Sequence, residues 1–190
     1  YIKQQDPKAK IFIVHRIDRE TSGLLLFARS EKVKEVIQET WMSTITERVY
    51  AAVVEGRVDK KEGVVTSWLT ESSAFTVYSS QNPGQGKKAI THYQTIKSNP
   101  NYSLLKLSLE TGRKHQIRVH MAHIRHPIVG DTVYGRSKKN RLPLNPERFR
   151  RLVARLYLQL DDLPWCVSGA GVPSFNQGSL DLARGKRQLR

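Results

Sequence analysis

The sequence predicts an α+β domain. Short β-prone runs bounded by turn residues recur across residues 11–109, and two stretches of helical apolar spacing, about 31–43 and 115–124, stand apart from them. With 38% hydrophobic and 26% charged residues over 190 positions, the chain suits a globular protein with a real core better than a disordered one.

In chain order, Tyr1 to Lys10 is polar, and Pro7 excludes a continuous helix through it. Ile11-Phe12-Ile13-Val14 and Leu24-Leu25-Leu26-Phe27-Ala28 read as two strands holding a polar, glycine-closed loop, His15 to Gly23, rigidly between them. Asp18 lies there between Arg16 and Arg19, which favours its charged form. Ser30 is a plausible N-cap, with Glu31 well placed against the helix dipole. Val33, Val36, Ile37, Thr40 and Trp41 then recur at helical spacing and are expected to pack in the core.

Arg48 to Gly56 reads as a strand ended by glycine, and Val64 to Leu69 as another. After the turn-rich Asn82-Pro83-Gly84-Gln85-Gly86, Lys87 to Ile96 alternates as a strand should. Ser98-Asn99-Pro100-Asn101 returns the chain into Tyr102 to Leu109, so these two strands are expected to pair antiparallel. Gly112 permits a tight turn, after which His115 to Ile124 forms a short helix with Ile117, Met121 and Ile124 facing inward; Pro127 ends it.

The formal net charge is +15, with a pI near 10.1, a footprint of polyanion binding. Twelve of the 32 basic residues and four of the 17 acidic ones fall in residues 136–190. No run approaches the roughly 18 apolar residues of a membrane span, the amino terminus matches no targeting peptide, and Cys166 is the one cysteine. A reduced cytoplasm is the expected setting, with no membrane association. His115, His120, His123 and His126 crowd one region, but their spacings fit no familiar zinc pattern. A Ser-His-Asp hydrolase is disfavoured, since no Gly-x-Ser-x-Gly elbow occurs.

Three segments together resemble the signature of the RluA-type RNA pseudouridine synthases. They are His15-Arg16-Ile17-Asp18 with Thr21-Ser22-Gly23; the strand from Arg48 through Tyr50 to Gly56; and Gly112-Arg113 opening His115-Gln116-Ile117-Arg118-Val119-His120, followed by Ile128-Val129-Gly130-Asp131 and Tyr134-Gly135. The resemblance implies a mixed, mainly antiparallel sheet with flanking helices and a cleft at Asp18. It implies an enzyme that breaks the N1–C1′ bond of a uridine in ribosomal or transfer RNA, rotates the uracil and rejoins it through C5. That isomerisation needs neither metal nor nucleotide cofactor.

By motif position the resemblance makes Asp18 the catalytic carboxylate, acting at C1′ as a nucleophile or assisting deprotonation at C2′. Arg118 would pair with it, as a bidentate guanidinium can. Tyr50 would stack on the uracil and place its hydroxyl for proton transfer at C5; the plain alternative is a half-buried strand aromatic. Arg16 would fill the gap left by the flipped base. Arg113 and Lys114 would contact phosphate, and His15, Thr21, Ser22 and Gly23 would support the loop.

The family's Lys-Pro-x-Gly strand, and the Leu-His-Ala strand and His-Pro expected after Tyr134-Gly135, have no match here. The expectation is therefore a partial catalytic domain, residues 1–135, acting on RNA as a monomer, with an RNA-binding fragment that does not turn over as the alternative. Residues 136–190 are expected to be a basic, atypical segment. It reads either as an arm for phosphates or as sequence foreign to the family, for instance through a reading-frame change near Ser137; the second is preferred, and with it poor order or irregular packing.

Overall fold

The computed structural model describes residue 4, residues 7–19, 21–45 and 47–135, and the backbone of 166–168. In chain order these form β1 (Phe12–Ile13), β2 (Thr21–Gly23), β3 (Phe27–Ala28), α1 (Glu31–Glu39), α2 (Trp41–Thr44), β4 (Val49–Glu55), β5 (Glu62–Glu71), β6 (Val77–Ser80), β7 (Lys87–Ser98), β8 (Tyr102–Leu109), α3 (Gln116–His123) and β9 (Cys166–Ser168). The expected α+β class with a mixed, mainly antiparallel sheet is what is found. Seven strands run in the order β2-β9-β4-β8-β7-β5-β6, antiparallel except for the β4–β9 pair.

The centre of the sheet follows from alternation. In β8, Ser103, Leu105 and Leu107 point inward and are buried, while their neighbours are half-exposed. β7 and β8 pair antiparallel as the turn residues predict, and the Asn99 side-chain oxygen accepts from the amides of Asn101 and Tyr102 to hold the reversal. The core lies between this sheet and α3, where Ala52, Val54, Leu105 and Leu107 meet Ile117, Met121 and Ile128. Ile124 packs at the margin of the same cluster, so the inward face expected for α3 is present. Truncating the fully buried Met121 to alanine should cost about 2–5 kcal/mol.

Two expectations need correction. The helix predicted over 31–43 is capped as expected, with the Ser30 hydroxyl accepting from the Val33 amide, but it breaks at Thr40 into α1 and α2. Its apolar stripe is not core: α1 has no buried residue, and Val33 and Val36 are 48% and 51% exposed. α1 packs on the two-stranded β1–β3 ribbon, which offers too little area to cover the stripe. The strands expected over 11–14 and 24–28 also shrink to two residues each. The segment 136–190 lies outside the described residues except for β9, which sits between β2 and β4.

Candidate active site

The Asp18 loop is closed at its base by His15. The Leu26 amide donates to its Nε2 at 3.1 Å, and its ring lies 4.8 Å from that of Trp41. Burial lowers the His15 pKa, outweighing the opposing effect of a hydrogen bond with the Arg16 backbone. Within the loop the Thr21 amide donates to the Asp18 carbonyl at 2.9 Å, turning the chain into β2. Ser22 and Gly23 lie in β2, opposite Val167 and Cys166. Loop support thus comes from His15 and from backbone pairing.

The third segment is built around Gln116, which is buried at the start of α3. Its side-chain oxygen accepts from the Thr111 hydroxyl (2.7 Å) and the Arg113 amide (3.0 Å), while its amide nitrogen donates to the Ile90 carbonyl and the Thr91 hydroxyl. Such full satisfaction makes the turn rigid. The left-handed residue of the turn is His115, at φ 54°, rather than Gly112. For a non-glycine this conformation costs on the order of 1 kcal/mol and aims the His115 ring at the Tyr134 hydroxyl, 2.9 Å from Nδ1.

These elements meet in a cleft of about 250 Å³ lined by residues from all three segments. Of the residues singled out in sequence, Arg16, Asp18, Thr21, Tyr50, Arg113, Lys114 and Arg118 line it; Asp18 is the one carboxylate among the described lining residues. His15, Ser22 and Gly23 do not line it. Residues 16–18, 21, 50, 112–114 and 116–118 are therefore brought together from a loop, a strand and a helix with the turn before it.

The expected pairing of Arg118 with Asp18 is not what the structure shows. Arg118 grips Asp131 instead, Nε to Oδ2 at 2.8 Å and Nη2 to Oδ1 at 2.9 Å, with side chains only 12% and 3% exposed. Asp131 is prepared for this by the amides of Val133 and Tyr134, which both donate to Oδ1. The Tyr134 ring centre lies 5.0 Å from the guanidinium carbon.

Electrostatics agree from both sides of the pair. Burial opposes charge on Arg118, but hydrogen bonding to Asp131 and its charge outweigh that and raise its pKa; Asp18 adds to the effect at longer range. Burial likewise opposes charge on Asp131, and the Arg118 contact with the two amides holds its carboxyl below the usual range. The buried pair is satisfied, and a fixed cation stands within the field of Asp18.

Asp131, Tyr134 and His115 carry no individual role in the sequence reading. The available signal was that an arginine inside a site needs a buried counter-charge, and Gly130-Asp131 is the acid of the motif that follows it. The four crowded histidines take separate partners: His115 with Tyr134, His120 with Ser67 and Thr91, His123 with Ser79 and Gln81, His126 with the Glu55 carbonyl.

Comparison with known proteins adds an independent line. A family model described as RNA pseudouridylate synthase matches residues 1–123. The chain is 36% identical over 132 residues to a Bacillus subtilis protein described as an uncharacterized RNA pseudouridine synthase, YjbO, covering 70% of this chain and 46% of that one. It is 43% identical over 128 residues to the ribosomal large subunit pseudouridine synthase D of Zymomonas mobilis, covering 67% and 40%. To the tRNA pseudouridine synthase C of Haemophilus influenzae it is 35% identical over 164 residues, covering 80% and 67%. The chain thus spans less than half the length of the Bacillus and Zymomonas proteins. In fold it resembles human RNA pseudouridylate synthase domain containing 1, with a TM-score of 0.63 at 23% identity, over 76% of this chain and 62% of that one.

Proposed function

The chain belongs to the RNA pseudouridylate synthase family, of the RluA type, and from that premise we propose that it isomerises uridine to pseudouridine in structured RNA. The observation that carries the proposal is the convergence of Asp18, Tyr50 and Arg118 on one basic cleft. The proposed catalytic domain is residues 1–135, working on ribosomal or transfer RNA in the cytoplasm.

In this reading Asp18 acts on the ribose, at C1′ or by assisting deprotonation at C2′, so that the N1–C1′ bond breaks while both fragments stay bound. Covalent catalysis at C1′ would divide one hard step into two easier ones. Tyr50 stacks on the uracil and places its hydroxyl for proton transfer at C5. The C1′–C5 bond then forms, the hydrogen of C5 leaves as a proton, and N1 gains one. Arg118, oriented by Asp131 rather than paired with Asp18, places a fixed positive charge at the cleft wall beside the reacting carboxylate. Arg16 fills the space left by the flipped base, offsetting part of an unstacking cost of about a few kcal/mol. Arg113 and Lys114 receive phosphates at the rim.

The test is release of tritium from RNA carrying 5-tritiated uridine, measured with the full chain beside RNA binding. Release supports the enzyme. Binding with no release under any tested RNA supports the binding-only alternative, and neither signal would end the proposal.

A further inference from the structure

The hairpin between β5 and β6 presents an aromatic ring whose placement local folding does not account for. Its loop, Ser72 to Thr76, is held by the Ser72 amide on the Thr76 carbonyl (2.8 Å), the Phe75 amide on the Ser72 carbonyl (2.9 Å) and the Thr76 amide on the Ser72 hydroxyl (3.3 Å). Phe75 stands in that loop at φ 60° and is 73% exposed. A left-handed position in a polar loop favours glycine or asparagine, and an exposed ring gains nothing from burial. Both choices work against stability, and conformational strain of this kind concentrates at functional positions.

The surroundings indicate what the ring would hold. The Lys114 ammonium lies 5.1 Å from the ring centre and pairs with Glu71 at the end of β5. Lys114 also lines the cleft, so the ring is one side chain away from the candidate site. The foot of the hairpin is fixed to that site as well, because the Val77 amide donates to the Tyr134 hydroxyl at 2.9 Å. The result is a ring backed by a cation, rigidly placed at the rim of a basic cleft. Aromatic rings beside basic grooves are how proteins hold unpaired nucleotides, since every base has a face to stack.

We infer that Phe75 is a stacking platform for an unpaired RNA base next to the target uridine, an inference that rests on the RNA reading above. Lys114 covers one side of the ring, and the base takes the exposed side. Flipping the target deprives its neighbour of a stacking partner, and Phe75 supplies a replacement.

The test uses the full 190-residue chain and two fluorescein-labelled probes: an eight-nucleotide oligouridylate and an abasic ribose-phosphate octamer. Phe75→Ala should weaken oligouridylate binding at least about fivefold, the low end of the effect of one stacked base, and leave the abasic probe unaffected. Phe75→Trp should keep wild-type affinity, whereas Phe75→Leu should behave like alanine. Unchanged affinity in Phe75→Ala, equal losses on both probes, or full rescue by leucine would each overturn the platform while leaving the RNA reading intact. Failure of the wild type to bind the oligouridylate at low salt would also overturn the platform, while the RNA reading stands or falls on tritium release and binding of structured RNA. The near-ultraviolet circular dichroism of the variants shows whether the fold survives.

Discussion

Arg118 and Asp131 form a two-point ion pair, at 2.8 and 2.9 Å, behind the wall of the cleft that carries Asp18. Removing one partner leaves the other buried and uncompensated, which typically costs about 3–5 kcal/mol. Asp131→Asn should therefore lower stability in urea by about that amount at neutral pH. The folded pKa of Asp131 lies below its unfolded value, so its contribution is complete above the unfolded carboxylate range, about 4, and is lost as pH falls through the folded value. The gap between wild type and variant should narrow as pH falls below that range and close below the folded value; a gap that stays constant into strong acid contradicts the pairing.

His120 predicts a second pH dependence, at a higher window. Burial first and the nearby His123 second push its pKa down to about 4, and both ring nitrogens engage hydroxyls, of Ser67 and Thr91. The unfolded histidine takes up its proton near 6.5 and the folded one near 4, so stability should fall as pH drops between them, by up to about 1.4 kcal/mol per unit. Thermal melts across that interval should show the slope in the wild type and a flatter one in His120→Gln.

Tyr50→Phe separates stacking from proton transfer. The ring is kept, so RNA affinity should stay within about threefold, while tritium release should drop by about a hundredfold or more, the usual scale of general acid–base catalysis. Loss of binding with unchanged turnover of bound RNA would reverse the assignment.

Phosphate contact at the rim is read from salt. Binding should weaken linearly in log–log form as salt rises, and Arg113→Ala should reduce the magnitude of the slope by about one counterion. An unchanged slope would place Arg113 in a purely local role, holding the Lys88 carbonyl at 3.2 Å.

The sheet is legible where both its faces are constrained. β4, β5, β7 and β8 alternate visibly, and Asn99 announces the β7–β8 turn. β6 is not legible, because four residues, Val77–Ser80, are too few and too polar to show a period. The α1 stripe shows why periodicity misleads: it reports that a helix is amphipathic, not how much surface the β1–β3 ribbon can offer it. In the site, the loop, strand and helix that converge are each readable as segments. The Asp131 grip on Arg118 is not, since an acid after glycine reads as a turn residue until tertiary packing brings the two together. The left-handed Phe75 is likewise invisible, because an aromatic side chain does not favour that conformation, and His115 carries only the weak signal that histidine is enriched there.

The central claim is that Asp18 performs the chemistry in the cleft it shares with Tyr50 and Arg118. Its most direct test compares tritium release from 5-tritiated uridine RNA by the wild type and by Asp18→Asn, a change that keeps the size and removes the charge. Release by the wild type, and none by the variant although it still binds RNA, is the predicted result. Release that survives the substitution would contradict the account.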